Sequence, residues 1–257
     1  MIHIPMKSGQ SFCKDTITTL NRTSEKNIFT KNSILSFNDK ASCRSDEPIA
    51  RSTPGACQAN ANSTAINVQN RPIPKLKHEI IKGQKIALPL THTSKIDVCM
   101  GWNILNPKCD IDVSAFMLNS SGKVIGDEWF VFYGQVQSPD GSTVFSESAQ
   151  LDREIISIDL AKLNSAVSKI VFVLTINEAL EKKLNFSMVT DAYIRLMDIS
   201  NNAEIVSFKM TDYYSNVTSM MIAELYLHNG TWKLNAIGNG VSRDLAGLCE
   251  LYGVQTV

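Results

Sequence analysis

From residue 76 to the C-terminus no apolar run is longer than one strand can hold, and each run is closed by turn-forming residues. IKGQKIAL (81–88) opens the series, followed by KIDVCMGW (95–102), DIDVSAFML (110–118), WFVFYG (129–134) and EIISIDL (154–160). KIVFVLTI (169–176), AYIRLMDI (192–199), EIVSFKM (204–210), MMIAELYL (220–227) and TWKLNAIG (231–238) complete it. SPDGS (138–142) spells a tight turn, Ser200-Asn201-Asn202-Ala203 a hairpin, and Asn229-Gly230 a two-residue type I′ connection. KIVFVLTI does not alternate, as expected of a strand covered on both faces. About eight regularly spaced strands predict an all-β domain, an antiparallel β-sandwich.

Two helices are expected beside the strands. NEALEKK (177–183) reads as a short mid-chain helix, with Lys182 and Lys183 in its last turn. SRDLAGLCELYG (242–253) reads as a C-terminal helix capped by Ser242, with a stripe of Leu245, Leu248 and Leu251 and a stop at Gly253.

Residues 1–75 have a different character. Ser, Thr and Asn supply 24 of them, five of the eight prolines fall here, and apolar residues are scattered without period. Such a stretch buries too little apolar surface to offset its ordering entropy, so a disordered N-terminal extension is expected, followed by one domain over 76–257. A Ser-rich, basic start also suits an organelle transit peptide, which Asp15 and Glu25 oppose. The extension holds ten Lys/Arg against five Asp/Glu and the body fifteen against twenty.

With a formal net charge of zero the chain carries no electrostatic signature of nucleic-acid binding. No window is apolar enough to span a membrane, and no secretory apolar core opens the sequence. The six cysteines form no CxxC pair and read as reduced thiols of a cytoplasmic protein, Cys99 and Cys109 as small buried hydrophobes. GxSxG, HExxH, Walker A and GxGxxG are all absent. His228 falls at a hairpin turn, so no catalytic role is assigned and the expectation is a non-enzyme.

Asp110 and Asp112 raise the sharpest question. On a strand they share one face with Ser114, roughly 7 Å apart, while Ile111, Val113, Ala115 and Met117 take the other. Like charges so placed are either a solvated strand end or the start of a cation site.

In this order, GW (101–102), DIDVSAFML (110–118), SPDGS (138–142), KIVFVLTI (169–176), NF (185–186), DAYIRL (191–196), AELYLHNGTWK (223–233), AIGNG (236–240) and DLAGLCELYGV (244–254) resemble the TerD family of tellurium-resistance and general stress proteins. The resemblance spans nearly the whole body and leaves the extension without a counterpart. It implies a β-sandwich that binds calcium through clustered loop carboxylates and acts without catalysis. The partners it implies are other proteins of a tellurium- and stress-resistance assembly, at the cytoplasmic face of a membrane component. Calcium takes six to eight oxygens from separate segments. The metal ligands expected on this basis are Asp110 and Asp112, matching the acidic pair of the family's DLDASAF motif, with Asp140, Asp152 and Glu154; Asp127 and Glu147 are further candidates. This chain departs from the family at two places. FSESAQLDRE (145–154) stands where members carry a Gly- and Asp-rich loop, and Trp102-Asn103 where they carry Trp-Asp. Fewer carboxylates imply weaker binding. The alternative is a scaffold or interaction module with a degenerate metal site.

Overall fold

The computed structural model describes residues 70–89, 94–148 and 150–255. Twelve strands are assigned: β1 (Glu79–Ile80), β2 (Lys85–Ala87), β3 (Lys95–Ile104), β4 (Ile111–Leu118), β5 (Phe130–Val131), β6 (Thr143–Glu147), β7 (Glu154–Asp159), β8 (Lys169–Ile176), β9 (Val189–Asp198), β10 (Ala203–Lys209), β11 (Ser219–His228) and β12 (Thr231–Val241). They form two six-stranded sheets, ordered β1-β10-β9-β3-β7-β6 and β2-β12-β11-β8-β4-β5. Every pairing is antiparallel except β1 beside β10. The expected β-sandwich is therefore what forms. The extension expected over 1–75 falls mostly on residues 1–69, outside the described residues.

One continuous apolar core joins both sheets. In β8 every residue from Ile170 to Ile176 is buried, as its unbroken apolar run requires. The helix α1 (Leu245–Tyr252) supplies part of the cover. Its Tyr252 ring lies 4.6 Å from Phe116 of β4, which stacks on Phe130 at 4.4 Å, and Phe130 stacks on Phe132 at 4.5 Å. Leu245, Leu248, Cys249 and Tyr252 make the buried face, an i, i+3, i+4, i+7 set. Leu251 of the expected stripe faces out instead. The N-cap is Asp244, which accepts from Gly247 N at 2.8 Å, and not Ser242, whose hydroxyl donates to the Asn216 carbonyl at 2.6 Å. Gly253 closes the helix at φ 81°, where it accepts no Cβ penalty.

The expected mid-chain helix over 177–183 is absent, and the segment is a series of turns. Glu178 and Lys183 stand at φ 50° and 54°, which no α-helix admits, although Lys182 still bonds Glu178 at 2.7 Å. Held between β8 and β9, seven residues form too short a helix to persist on propensity alone. The hairpin signals hold: Asn229 and Gly230 both take positive φ between β11 and β12, and Asn202 does so between β9 and β10. Gly101 of the GW pair needs its missing side chain for another reason, since a Cβ there would overlap the Tyr193 ring.

Two acidic residues of the sequence motifs turn out to be fasteners. Asp140 pins the SPDGS turn: Oδ1 accepts from Ser138 Oγ at 2.7 Å and Ser142 N at 2.9 Å, and Oδ2 from Asn164 N at 2.8 Å. Burial alone would raise its carboxyl, but these donors outweigh burial and hold it below the usual range. Asp152 is 6% exposed and takes both nitrogens of the Arg195 fork, Nε at 3.0 Å and Nη2 at 2.6 Å, with Tyr193 Oη donating at 3.0 Å. This ties the entry of β7 to the middle of β9.

Two outcomes are expected. A carboxylate with a depressed folded pKa contributes stability above its unfolded pKa of about 3.9 and loses it as pH falls through the folded value. Asp140→Asn should cost about 1–2 kcal/mol in urea unfolding at pH 7, and the gap to wild type should narrow as pH falls below about 3.9. Arg195→Met, which strands Asp152, should cost about 3 kcal/mol, and pairing it with Asp152→Leu should recover most of that loss.

Candidate functional site

Asp110 and Asp112 stand at the start of β4, where its partner β8 ends: Asp112 pairs with Thr175, and Asn177 N donates to the Asp110 carbonyl at 2.8 Å. Strand β5 is only two residues long and pairs with Ala115 and Phe116, which leaves the β4 edge before them open. Glu154 fills that edge, its Oε2 accepting from Val113 N at 2.7 Å across 41 residues of sequence. Glu147 pairs with Glu154 in the β6–β7 ladder, so both side chains leave the same face. Four carboxylates from two sheets therefore gather at one end of the sandwich.

Their electrostatics show the consequence. Burial, then Asp110 and Glu147, push Asp112 well above the ordinary carboxylate range. Burial, then Asp112, push Glu154 up, and the Val113 amide only partly opposes this. The nearby Tyr133 hydroxyl is raised by burial and by Asp112, Asp110 and Glu154. Asp112 Oδ2 is buried with no hydrogen-bond partner among the described residues. A buried anionic oxygen of this kind is costly unless a proton or a cation meets it.

The structure thus brings together Asp110, Asp112 and Glu154 of the expected ligands, and Glu147 with them. It does not bring Asp140, whose turn precedes β6 at the end opposite Glu147, or Asp152, which is committed to Arg195. Asp127 is buried and accepts from Gln255 N at 2.8 Å, a fastener of the C-terminal segment. Two site residues carry no signal of their own in the sequence. Asn177, whose Nδ2 lies 3.3 Å from Asp110 Oδ2, closes the run KIVFVLTI, and Tyr133 hides among the aromatics of WFVFYG. Only the β4–β8 register, unknown in advance, places Asn177 beside Asp110. Among the described residues no three His, Cys, Asp or Glu side chains already stand around one point as a finished metal set. None of the described helices is long and apolar enough to cross a membrane.

Comparison with known proteins bears on this arrangement. The TerD domain profile matches residues 76–252. The tellurium resistance protein TerD of Serratia marcescens is 37% identical over 183 residues, covering 67% of this chain and 95% of that protein. General stress protein 16U of Bacillus subtilis is 33% identical over 187 residues, covering 68% of this chain and 97% of its own length. A crystal structure of a protein of unknown function, SAV2460, shares the fold with a TM-score of 0.50 at 17% identity, over 64% of this chain and 99% of that one. With nine sequence motifs in order and a domain match over most of its length, the chain belongs to the TerD family, whose named members are tellurium-resistance and general stress proteins.

Proposed function

We propose that this protein is a non-catalytic, calcium-binding module of a tellurium- and stress-resistance system, acting in the cytoplasm through protein partners. The observation that carries the reading is the gathering of Asp110, Asp112, Glu147 and Glu154 around a buried Asp112 oxygen that none of the described residues satisfies. Residues of this kind fit a hard cation: all are oxygen donors, and they come from separate segments. Asp110 and Asp112 on β4 and Glu147 and Glu154 on the β6–β7 hairpin would hold it. Calcium would supply positive charge where four carboxylates now repel, fastening the open edge of β4 to the other sheet. The loops at that end then form a fixed surface for partners, which we take to be proteins of the resistance assembly at the cytoplasmic face of a membrane component. The buried free thiols Cys99, Cys109 and Cys249 suit a reducing cytoplasm. Asp140 and Asp152 belong to the scaffold in this reading, because their oxygens are already engaged.

A second reading, a scaffold with a degenerate site, is favoured by one observation: among the described residues no ready-made set of three ligands exists. Calcium titration separates the two. Acids with raised folded pKa values cost stability as pH rises from their unfolded pKa, about 3.9–4.3, through the folded value, and a cation removes that cost. At pH 7.5, calcium at a hundredfold excess over its Kd should therefore stabilise the wild type by about 2.7 kcal/mol, and less at pH 5. Asp112→Asn should lose this response yet melt higher than the calcium-free wild type. No calorimetric heat and no melting shift at millimolar calcium would leave the scaffold reading standing.

A further inference from the structure

Ahead of β1, the backbone at Arg71 is held to the body chiefly by one side chain, Asn103, while Glu204 holds the amides of Lys77 and His78 further on. The Asn103 side-chain amide holds the Arg71 backbone from both sides, Oδ1 accepting from Arg71 N at 2.9 Å and Nδ2 donating to the Arg71 carbonyl at 3.1 Å. Asn70 Oδ1 adds a bond from Ile104 N at 3.1 Å. So anchored, Arg71 sends Nη1 to three main-chain oxygens of the β6–β7 connection: Ser148 O at 2.8 Å, Gln150 O at 3.1 Å and Asp152 O at 2.6 Å.

That geometry is not the fork-to-carboxylate match a guanidinium makes best. One nitrogen with two protons meets three acceptors, so the oxygens converge on a point, as they would around a compact positive charge. The site also draws Arg71 close to Arg153, whose guanidinium is shifted down by burial first and by Arg71 second. Two cations accept this proximity only where the oxygens between them outweigh the repulsion. Asn103 is the residue type the anchor demands: it must accept from one main-chain group of Arg71 and donate to the other, and Nδ2 also donates to Asp191 Oδ2 at 3.2 Å. An aspartate there would offer only acceptors to the Arg71 carbonyl and to Asp191.

We propose that the carbonyls of Ser148, Gln150 and Asp152 form a point-cation site that this chain fills in cis with Arg71. The segment around residue 71 thus works as a tethered cation that orders the connection between Glu147 and Glu154. This does not rest on the calcium reading, and the test is run without calcium.

The experiment is amide hydrogen exchange on the full chain with a chelator present, comparing wild type, Arg71→Gln and Arg71→Lys. Charge-assisted bonds are worth enough that Arg71→Gln should speed exchange at Gln150 and Arg153 by about tenfold or more. Low-millimolar methylguanidinium should reverse the effect, and neutral methylurea should not. Arg71→Lys, whose ammonium offers three donors from one point, should stay near wild type. Exchange within twofold of wild type in Arg71→Gln would overturn the proposal, as would equal responses to methylurea and methylguanidinium. Should Arg71→Gln unfold the body, Arg71→Lys decides alone: fast exchange at the connection with a protected core sinks the idea.

Discussion

A strand buried on both faces can exist only if something covers each face, and β8 is such a strand. Its backbone groups are satisfied by β4 on one side and β11 on the other, so its side chains have no route to water. The facing sheet, β1-β10-β9-β3-β7-β6, and α1 are the response to this requirement, and the Phe116, Phe130 and Phe132 stack is where α1 meets β8's own sheet. Burying one such aromatic is worth roughly 1.5–3 kcal/mol, so the cluster outweighs any surface ion pair.

The cover runs out at one end. Where β5 stops short, the β4 backbone would be exposed at Val113, and a carboxylate from the opposite sheet takes that position. Glu154 thus solves a hydrogen-bonding problem and creates an electrostatic one, since the half-buried Asp112, with its Oδ2 fully covered, is close by. The remaining acids near the β6–β7 hairpin are settled differently. Asp152 faces a guanidinium and Asp140 faces amides, so each is satisfied without help from outside the chain.

Much of the fold can be read from local pattern because its signals are local. The β8 run and Asn229-Gly230 each state their conformation within a few residues. Asp244 against Ser242 as the cap, and Glu178 at positive φ, are decided by what packs nearby, which no short window contains. The site divides the same way. Asp110 and Asp112 announce themselves by spacing, whereas Asp152 becomes a structural anchor only because Arg195 lies 43 residues further on. Arg71 is the extreme case. Its partners are main-chain oxygens, which every residue carries, so nothing in SESAQLD marks them. Asn103 and this connection, far apart in sequence, together hold Arg71.

Strand order in the second sheet has a bearing on how the chain must be made. Among the described residues β2 pairs only with β12, which follows it by about 150 residues. β8 likewise waits for β11, and its far cover waits for α1 near the C-terminus. During translation the apolar run 169–176 therefore leaves the ribosome with one neighbour and one unpaired edge. Such an edge is a template for misassociation until the final hairpin arrives. Completing this sheet therefore requires the β11–β12 hairpin, through pairings far apart in sequence.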